Sequence, residues 1–134
     1  MPEEETLLIV KPDAVQRGLT GEILGRVERK GLRIAEMRMM HIERELAERH
    51  YAEHSEKPFF EELVGFITSG EVVVARVVGE QAVGVLRTLM GPTDPVQAPP
   101  GTIRGDYGLV ITENLIHGSD SAESAKRELD LFFG

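Results

Sequence analysis

The run Asn114-Leu115-Ile116-His117-Gly118-Ser119-Asp120-Ser121 sets one imidazole between a short apolar stretch and a helix-start signal. Leu115 and Ile116 read as the end of a buried strand. Ser119, Asp120 and Ser121 are good N-cap residues, and Glu123 follows Asp120 at capping-box spacing. That puts His117 at a strand-to-helix turn, where backbone N–H groups without partners favour anions. A neutral imidazole beside an anion site can attack phosphorus. The plainer reading is a histidine that only closes a turn, and the rest of the chain bears on the choice.

Phosphoryl transfer needs mainly positioning and charge neutralisation, so cations at element ends are the next residues of interest. Lys11 follows the first apolar run, Arg87 falls near a helix C-terminus, and Arg104 lies within Gly101-Thr102-Ile103-Arg104-Gly105-Asp106. Each also fits an ordinary surface charge, and Arg87 could serve its own helix end. Around Arg104, flanking glycines would let the backbone approach a ligand closely. Phe59, just after Pro58, fits either the core or a stacking surface for a base. Tyr51 and His54 share one helix face. His50 and His54 stand four apart, a spacing that permits a shared metal, but no H-E-x-x-H motif surrounds them and they read as a structural pair with one functional member.

Several classes are excluded or disfavoured. No G-x-x-x-x-G-K-[ST] loop, G-x-G-x-x-G fingerprint or kinase catalytic-loop signature is present. With no cysteine, disulfides and thiolate metal sites are impossible. A net charge of −8 and 5% aromatic content weigh against a nucleic-acid surface. In such an acidic chain, any phosphate site must gather its few cations locally. No apolar run reaches the roughly 18–20 residues that span a bilayer, and the acidic start is unlike a basic signal peptide, so the cytoplasm is the expected compartment.

The elements that must hold these residues follow from periodicity. A length of 134 residues with 41% hydrophobic content fits a single domain over 1–134. Residues 6–10 and 72–78 are unbroken apolar runs suited to buried strands. Residues 32–42 alternate, with Ala35, Met37 and Met39 on one face and Glu36 and Arg38 on the other. Helical spacing marks 20–30, 43–54, a segment opened by Pro58 and stopped at Ser69-Gly70, 80–90 and 121–133. Residues 91–113 carry four of the seven prolines and four of the fourteen glycines, and a loop that long usually has a function. Setting aside two helices inserted between the second and third strands leaves βαββαβ. That is an α+β, ferredoxin-like arrangement: a four-stranded antiparallel sheet with helices packed on one face.

The landmarks TLLIVKPDAVQRGL, HYAEHSEKPFF, LVGFITSG, LRTLMGPTDP, PGTIRGDYG and NLIHGSDS occur in this order, and the whole chain resembles nucleoside diphosphate kinase. The resemblance implies that His117 takes the γ-phosphoryl of a nucleoside triphosphate through Nδ1 and passes it to a nucleoside diphosphate, in a ping-pong cycle. It implies that Glu128 holds the other ring nitrogen and that Ser119 supports that arrangement. Lys11, Tyr51, His54, Arg87, Thr93 and Arg104 would line the phosphate end, with Lys11 and Tyr51 also among the catalytic set. Lys11 and Asn114 would contact the sugar, and Phe59 would stack on the base. Mg2+ is implied as cofactor, held by phosphates and water and not by a protein cage. Homo-oligomers, commonly hexamers or tetramers built from dimers, are implied too, with the long loop often at subunit contacts. Tyr107 and Glu113 depart from the usual phenylalanine and arginine, outside the catalytic positions. A nucleotide-sensing module of the same fold and a single-strand nucleic-acid binder are the competing readings.

Overall fold

The two apolar runs lie side by side at the centre of the sheet. In the computed structural model, which describes residues 3–134, β1 (Glu3–Val10) pairs antiparallel with β3 (Glu71–Glu80) along its full length. β2 (Arg33–His41) lies beyond β3 and the short β4 (Ile116–Gly118) beyond β1. The strand order is therefore β2-β3-β1-β4, with every neighbouring pair antiparallel. The expected ferredoxin-like sheet is present, and β1 and β3 extend past the runs that announced them, at acidic ends which polarity had hidden.

Helices cover both faces of this sheet, not one. On the first face, Leu8, Val10, Val73, Ala75 and Val77 pack against Ile23 and Val27 of α2 (Thr20–Lys30) and Leu86 of α5 (Ala82–Met90). On the second, Leu7, Ile9, Val72 and Val74 meet Ala47 of α3 (Arg44–His50), Val64 and Ile67 of α4 (Phe60–Ile67), and Leu129 and Phe132 of α7 (Ala122–Phe133). The inserted pair α3 and α4 thus builds a second core together with α7. Two buried faces explain why β1 and β3 read as continuous apolar runs without alternation.

Other differences are local. The strand ending at Val10 runs straight into a short helix, α1 (Pro12–Gln16), whose Pro12 suits a first helical position. The predicted 43–54 helix stops at His50 and continues as a 3-10 turn, Ala52–His54. Pro58 precedes α4 by two residues, and Phe59 is its N-cap. Gln81, at φ 54°, delays α5 until Ala82. Within β2 the register shifts between Ile34 and Glu36, and Met37 and Met39 emerge 61% and 55% exposed. The alternation of Met37 and Met39 against Glu36 and Arg38 holds, and the bulge shifts only Ala35 out of the period. The segment 91–113 has regular structure of its own: a 3-10 turn at Pro95–Gln97 and α6 (Ile103–Tyr107).

Candidate active site

β4 is central to the cavity although it is three residues long. His117 is inside this strand, opposite Ile9 of β1, and not at the turn that follows. Leu115, just before it, adopts φ 75°, a left-handed conformation unusual for a branched residue. Its side chain is fully buried, its N–H donates to Asp13 Oδ2 at 3.1 Å, and its carbonyl accepts the Lys11 N–H at 2.9 Å. These contacts fix β4 to the junction of β1 and α1. Burial pushes the Asp13 carboxyl upward, opposed by backbone hydrogen bonds and the charge of Lys11.

After β4 the chain turns through Ser119, Asp120 and Ser121 into α7. Ser121 is the cap, its hydroxyl accepting the Ser124 N–H at 3.0 Å, so the cap lies one residue beyond Asp120. Asp120 instead accepts from Arg87 Nη1 at 2.7 Å in an exposed pair. Along α7 the buried positions are Ala125, Glu128, Leu129 and Phe132, which places a carboxylate on the core-facing stripe. A buried carboxylate needs hydrogen bonds. Glu128 Oε1 accepts from His117 Nε2 at 2.8 Å and from Ser119 Oγ at 2.7 Å, while Ser119 Oγ accepts the Leu7 N–H at 3.2 Å.

Burial raises the Glu128 carboxyl, but the hydrogen bond and charge of His117, with the Ser119 hydrogen bond, outweigh it and hold the group down at about 2. Ionised Glu128 can only accept hydrogen bonds. His117 Nε2 must therefore carry the proton, and in the neutral ring Nδ1 keeps a lone pair. The Tyr51 hydroxyl is driven up to about 12 by burial and by the charge of Glu128, so it stays a donor.

A cavity of about 530 Å³ opens on this pair, lined by Lys11, Tyr51, His54, Phe59, Arg87, Thr93, Arg104, Asn114, His117 and Glu128 among others. The sequence-predicted residues converge there, with Ser119 buried immediately behind Glu128. Lys11 is buried and donates from Nζ to Asn114 Oδ1 at 2.8 Å, and Asn114 Nδ2 donates to the Thr93 carbonyl at 3.1 Å. Burial, with the nearby Arg104 charge, lowers Lys11 to about 8. Arg104 is buried and donates to the carbonyls of Asn114, Gly91 and Ile116 at 3.1, 3.0 and 2.7 Å. Three of its five N–H groups thus clasp the long loop to β4, and two stay available for a ligand. Its glycine neighbours serve the loop itself: a Cβ on Gly105 would lie 1.9 Å from the Pro99 carbonyl oxygen. Phe59 is 43% exposed at the cavity lip beside Lys57 and His54, so it is not core.

Sequence reasoning passed over His50 as a site residue. It is buried, with its ring centroid 4.7 Å from that of His117 in an edge-on arrangement. Burial and the His117 charge lower it to about 3. Its helical spacing from His54 was visible, but the long-range approach to β4 left no local signal. Arg127 was also missed. It reaches Glu53 Oε1 at 3.1 Å and lies 3.7 Å from Glu128 Oε2, which faces the second carboxylate oxygen with a cation.

The geometry agrees with comparisons to known proteins. A family model described as nucleoside diphosphate kinase matches residues 4–134. A nucleoside diphosphate kinase of Rubrobacter xylanophilus is 63% identical over 131 residues, covering 98% of each chain. One from Archaeoglobus fulgidus is 60% identical over 97% of this chain and 86% of its own. The solved structure of a halophilic nucleoside diphosphate kinase from Halobacterium salinarum in complex with CDP superposes with a TM-score of 0.96 at 52% identity, covering 98% of this chain and 88% of that one. With its phosphate-transfer chemistry, ping-pong through a phosphohistidine, this chain belongs to the nucleoside diphosphate kinase family.

Proposed function

We propose that His117 is the phosphoryl carrier. The observation that carries this reading is the Nε2–H···Oε1 contact of 2.8 Å to an ionised Glu128, which leaves Nδ1 as the basic nitrogen. In the first half-reaction the Nδ1 lone pair forms a bond to the γ-phosphorus as the bond to the bridging oxygen breaks, and the diphosphate leaves with that electron pair. A second diphosphate then attacks the phosphohistidine through its terminal oxygen, restoring the neutral ring. Ser119 positions Glu128, and Glu128 stabilises the ring as it becomes positive.

Lys11, Tyr51, His54, Arg87, Thr93 and Arg104 are the proposed phosphate-end residues, with Lys11 and Tyr51 acting at the transferring group. Lys11 and Asn114 would contact the sugar, and Phe59 would carry the base. Cations focused in one cavity of a −8 chain support this assignment, since each charge-assisted hydrogen bond contributes about 1.5–3 kcal/mol. Stacking alone on an exposed ring would make the enzyme tolerant of base identity. The reaction needs a divalent metal, and we assign Mg2+, arriving on the nucleotide phosphates and screening their charge. Among the cavity carboxylates, Glu53 and Asp120 each pair with an arginine and Glu128 with His117, which supports a metal carried by the nucleotide.

Residues 1–134 are proposed to act as a single domain in the cytoplasm, and no helix among the described residues is long and apolar enough to cross a membrane. The functional unit is proposed to be a homo-oligomer, a hexamer or tetramer, with the long loop at its contacts. The experiment is to incubate the protein with γ-labelled ATP and recover acid-labile, base-stable label on the chain. His117→Ala should take up none and catalyse no exchange. Label on that variant would remove His117 from the role.

A further inference from the structure

His50 is a buried side chain in the cavity that phosphoryl transfer leaves without a task. It ends α3, is 4% exposed, and packs edge-on against the rings of Tyr51, His117 and Phe132 at 4.7, 4.7 and 5.5 Å between centroids. Neither ring nitrogen has a hydrogen-bond partner among the described residues. Buried polar atoms without partners are rare and call for a reason. One nitrogen each of His50 and His117 and one oxygen of Glu128 lie within 4.8 Å of one another.

We propose that His50, His117 and Glu128 form an inhibitory site for a zinc-type dication, separate from the magnesium that travels with the nucleotide. Two imidazole nitrogens and one carboxylate oxygen make a three-ligand set typical of zinc with a fourth position open to water or a phosphate oxygen. Magnesium prefers oxygen donors and sheds water reluctantly, so the same cluster discriminates against it. Tetrahedral zinc with bonds of about 2.1 Å sets its donors roughly 3.4 Å apart, so the 2.8 Å His117–Glu128 pair must open by about 0.6 Å and the widest separation, at most 4.8 Å, close by up to about 1.4 Å. His50 supplies a lone pair that nothing else uses. At His117 the ring changes tautomer: Nε2 gives its proton to solvent, Nδ1 takes one from solvent, and the metal takes the freed Nε2 lone pair together with the Glu128 oxygen that had accepted the hydrogen bond. Nδ1 then carries the proton and has no lone pair to offer phosphorus, and the ring faces a dication in place of a carboxylate, so transfer halts. The inhibitory consequence rests on His117 being the phosphoryl carrier; the binding does not.

Zinc binding is measured on the nucleotide-free full chain by competition with a chromophoric zinc chelator. Wild type is compared with His50→Phe, His50→Gln and the exposed control His41→Asn, each checked for folding by circular dichroism. Wild type and His41→Asn should bind one zinc per chain, and both His50 variants should bind at least about tenfold more weakly. Zinc added to the exchange assay in excess magnesium should slow wild-type transfer and slow a His50 variant only at correspondingly higher concentration. Unchanged affinity in a folded His50 variant, or loss of binding in His41→Asn, would overturn the site. Stoichiometric zinc without slower transfer would overturn its inhibitory role. Persistent labelling of His117→Ala, by contrast, would fault the carrier assignment and leave the binding result standing.

Discussion

At the scale of single residues, the site turns on which nitrogen of one ring holds a proton. Glu128 touches that ring, and in the proposed mechanism its loss should appear in the chemical step. Glu128→Ala should slow single-turnover labelling by about 10–100-fold with KM nearly unchanged, and Glu128→Gln should do so less, because its amide oxygen still accepts from Nε2. The same carboxyl lies at about 2 in the folded chain against an ordinary 4.5. It therefore stabilises the fold fully above pH 4.5, and that contribution disappears as pH falls from 4.5 toward 2. Acid unfolding of Glu128→Gln should lack this part of the slope. Lys11 has the opposite character. Burial and Arg104 bring it to about 8, so the free enzyme loses this cation as pH rises through 8. kcat/KM for the triphosphate should fall on that limb, and Lys11→Arg, whatever its lower absolute rate, should move the limb to higher pH. In the unfolded chain Lys11 holds its proton up to 10.5, so its linkage makes stability rise with pH between 8 and 10.5. Which residues gather at the cavity was legible in the motifs. The proton position was not, since it depends on a contact between Glu128 and His117 that only the fold creates.

Among the elements, β4 is the weakest in its own right and depends most on its neighbours. Three residues form only a short ladder to β1, and entry to it requires Leu115 at φ 75°. Holding a branched residue there costs about 1–3 kcal/mol, which the surrounding contacts must offset. Asp13 is the contact to remove. Asp13→Ala leaves the buried Leu115 N–H without its acceptor, and an orphaned group of that kind costs about 1–3 kcal/mol. Denaturant midpoints should fall accordingly, and because β4 carries His117, labelling should slow even where the variant is fully folded. Helices α2, α4, α5 and α7 could be read from apolar spacing because each buries one stripe. Three features escaped for separate reasons. The β2 bulge breaks the period on which the reading relied. α1 and α6 are single turns too short to show a period. The covering of both sheet faces was implicit in the unalternated runs of β1 and β3, and weighting those runs over the βαββαβ pattern would have found it.

For the whole molecule, charge and exposed apolar surface pull in different directions. Net charge −8 keeps chains apart in solution. Against that, Leu109, Val110 and Ile111 are 74%, 49% and 52% exposed in succession, in the long loop just before the site-forming Asn114. Single exposed apolar residues are ordinary, but three together mark a contact surface. This patch is where the proposed homo-oligomer should be sensitive. The double substitution Leu109→Lys and Val110→Glu places opposite charges there, leaves the net charge unchanged, and touches no hydrogen bond of the site. Light scattering should report smaller species for the variant at micromolar concentration, with the far-ultraviolet circular dichroism of the wild type. Because Arg104 clasps this loop to β4 through Gly91, Asn114 and Ile116, loss of the contact should also loosen the cavity. KM for the triphosphate should therefore rise in step with dissociation, and raising protein concentration should lower it again. A variant that stays assembled, or one that dissociates with KM unchanged at every concentration, would separate assembly from nucleotide binding and refute this coupling.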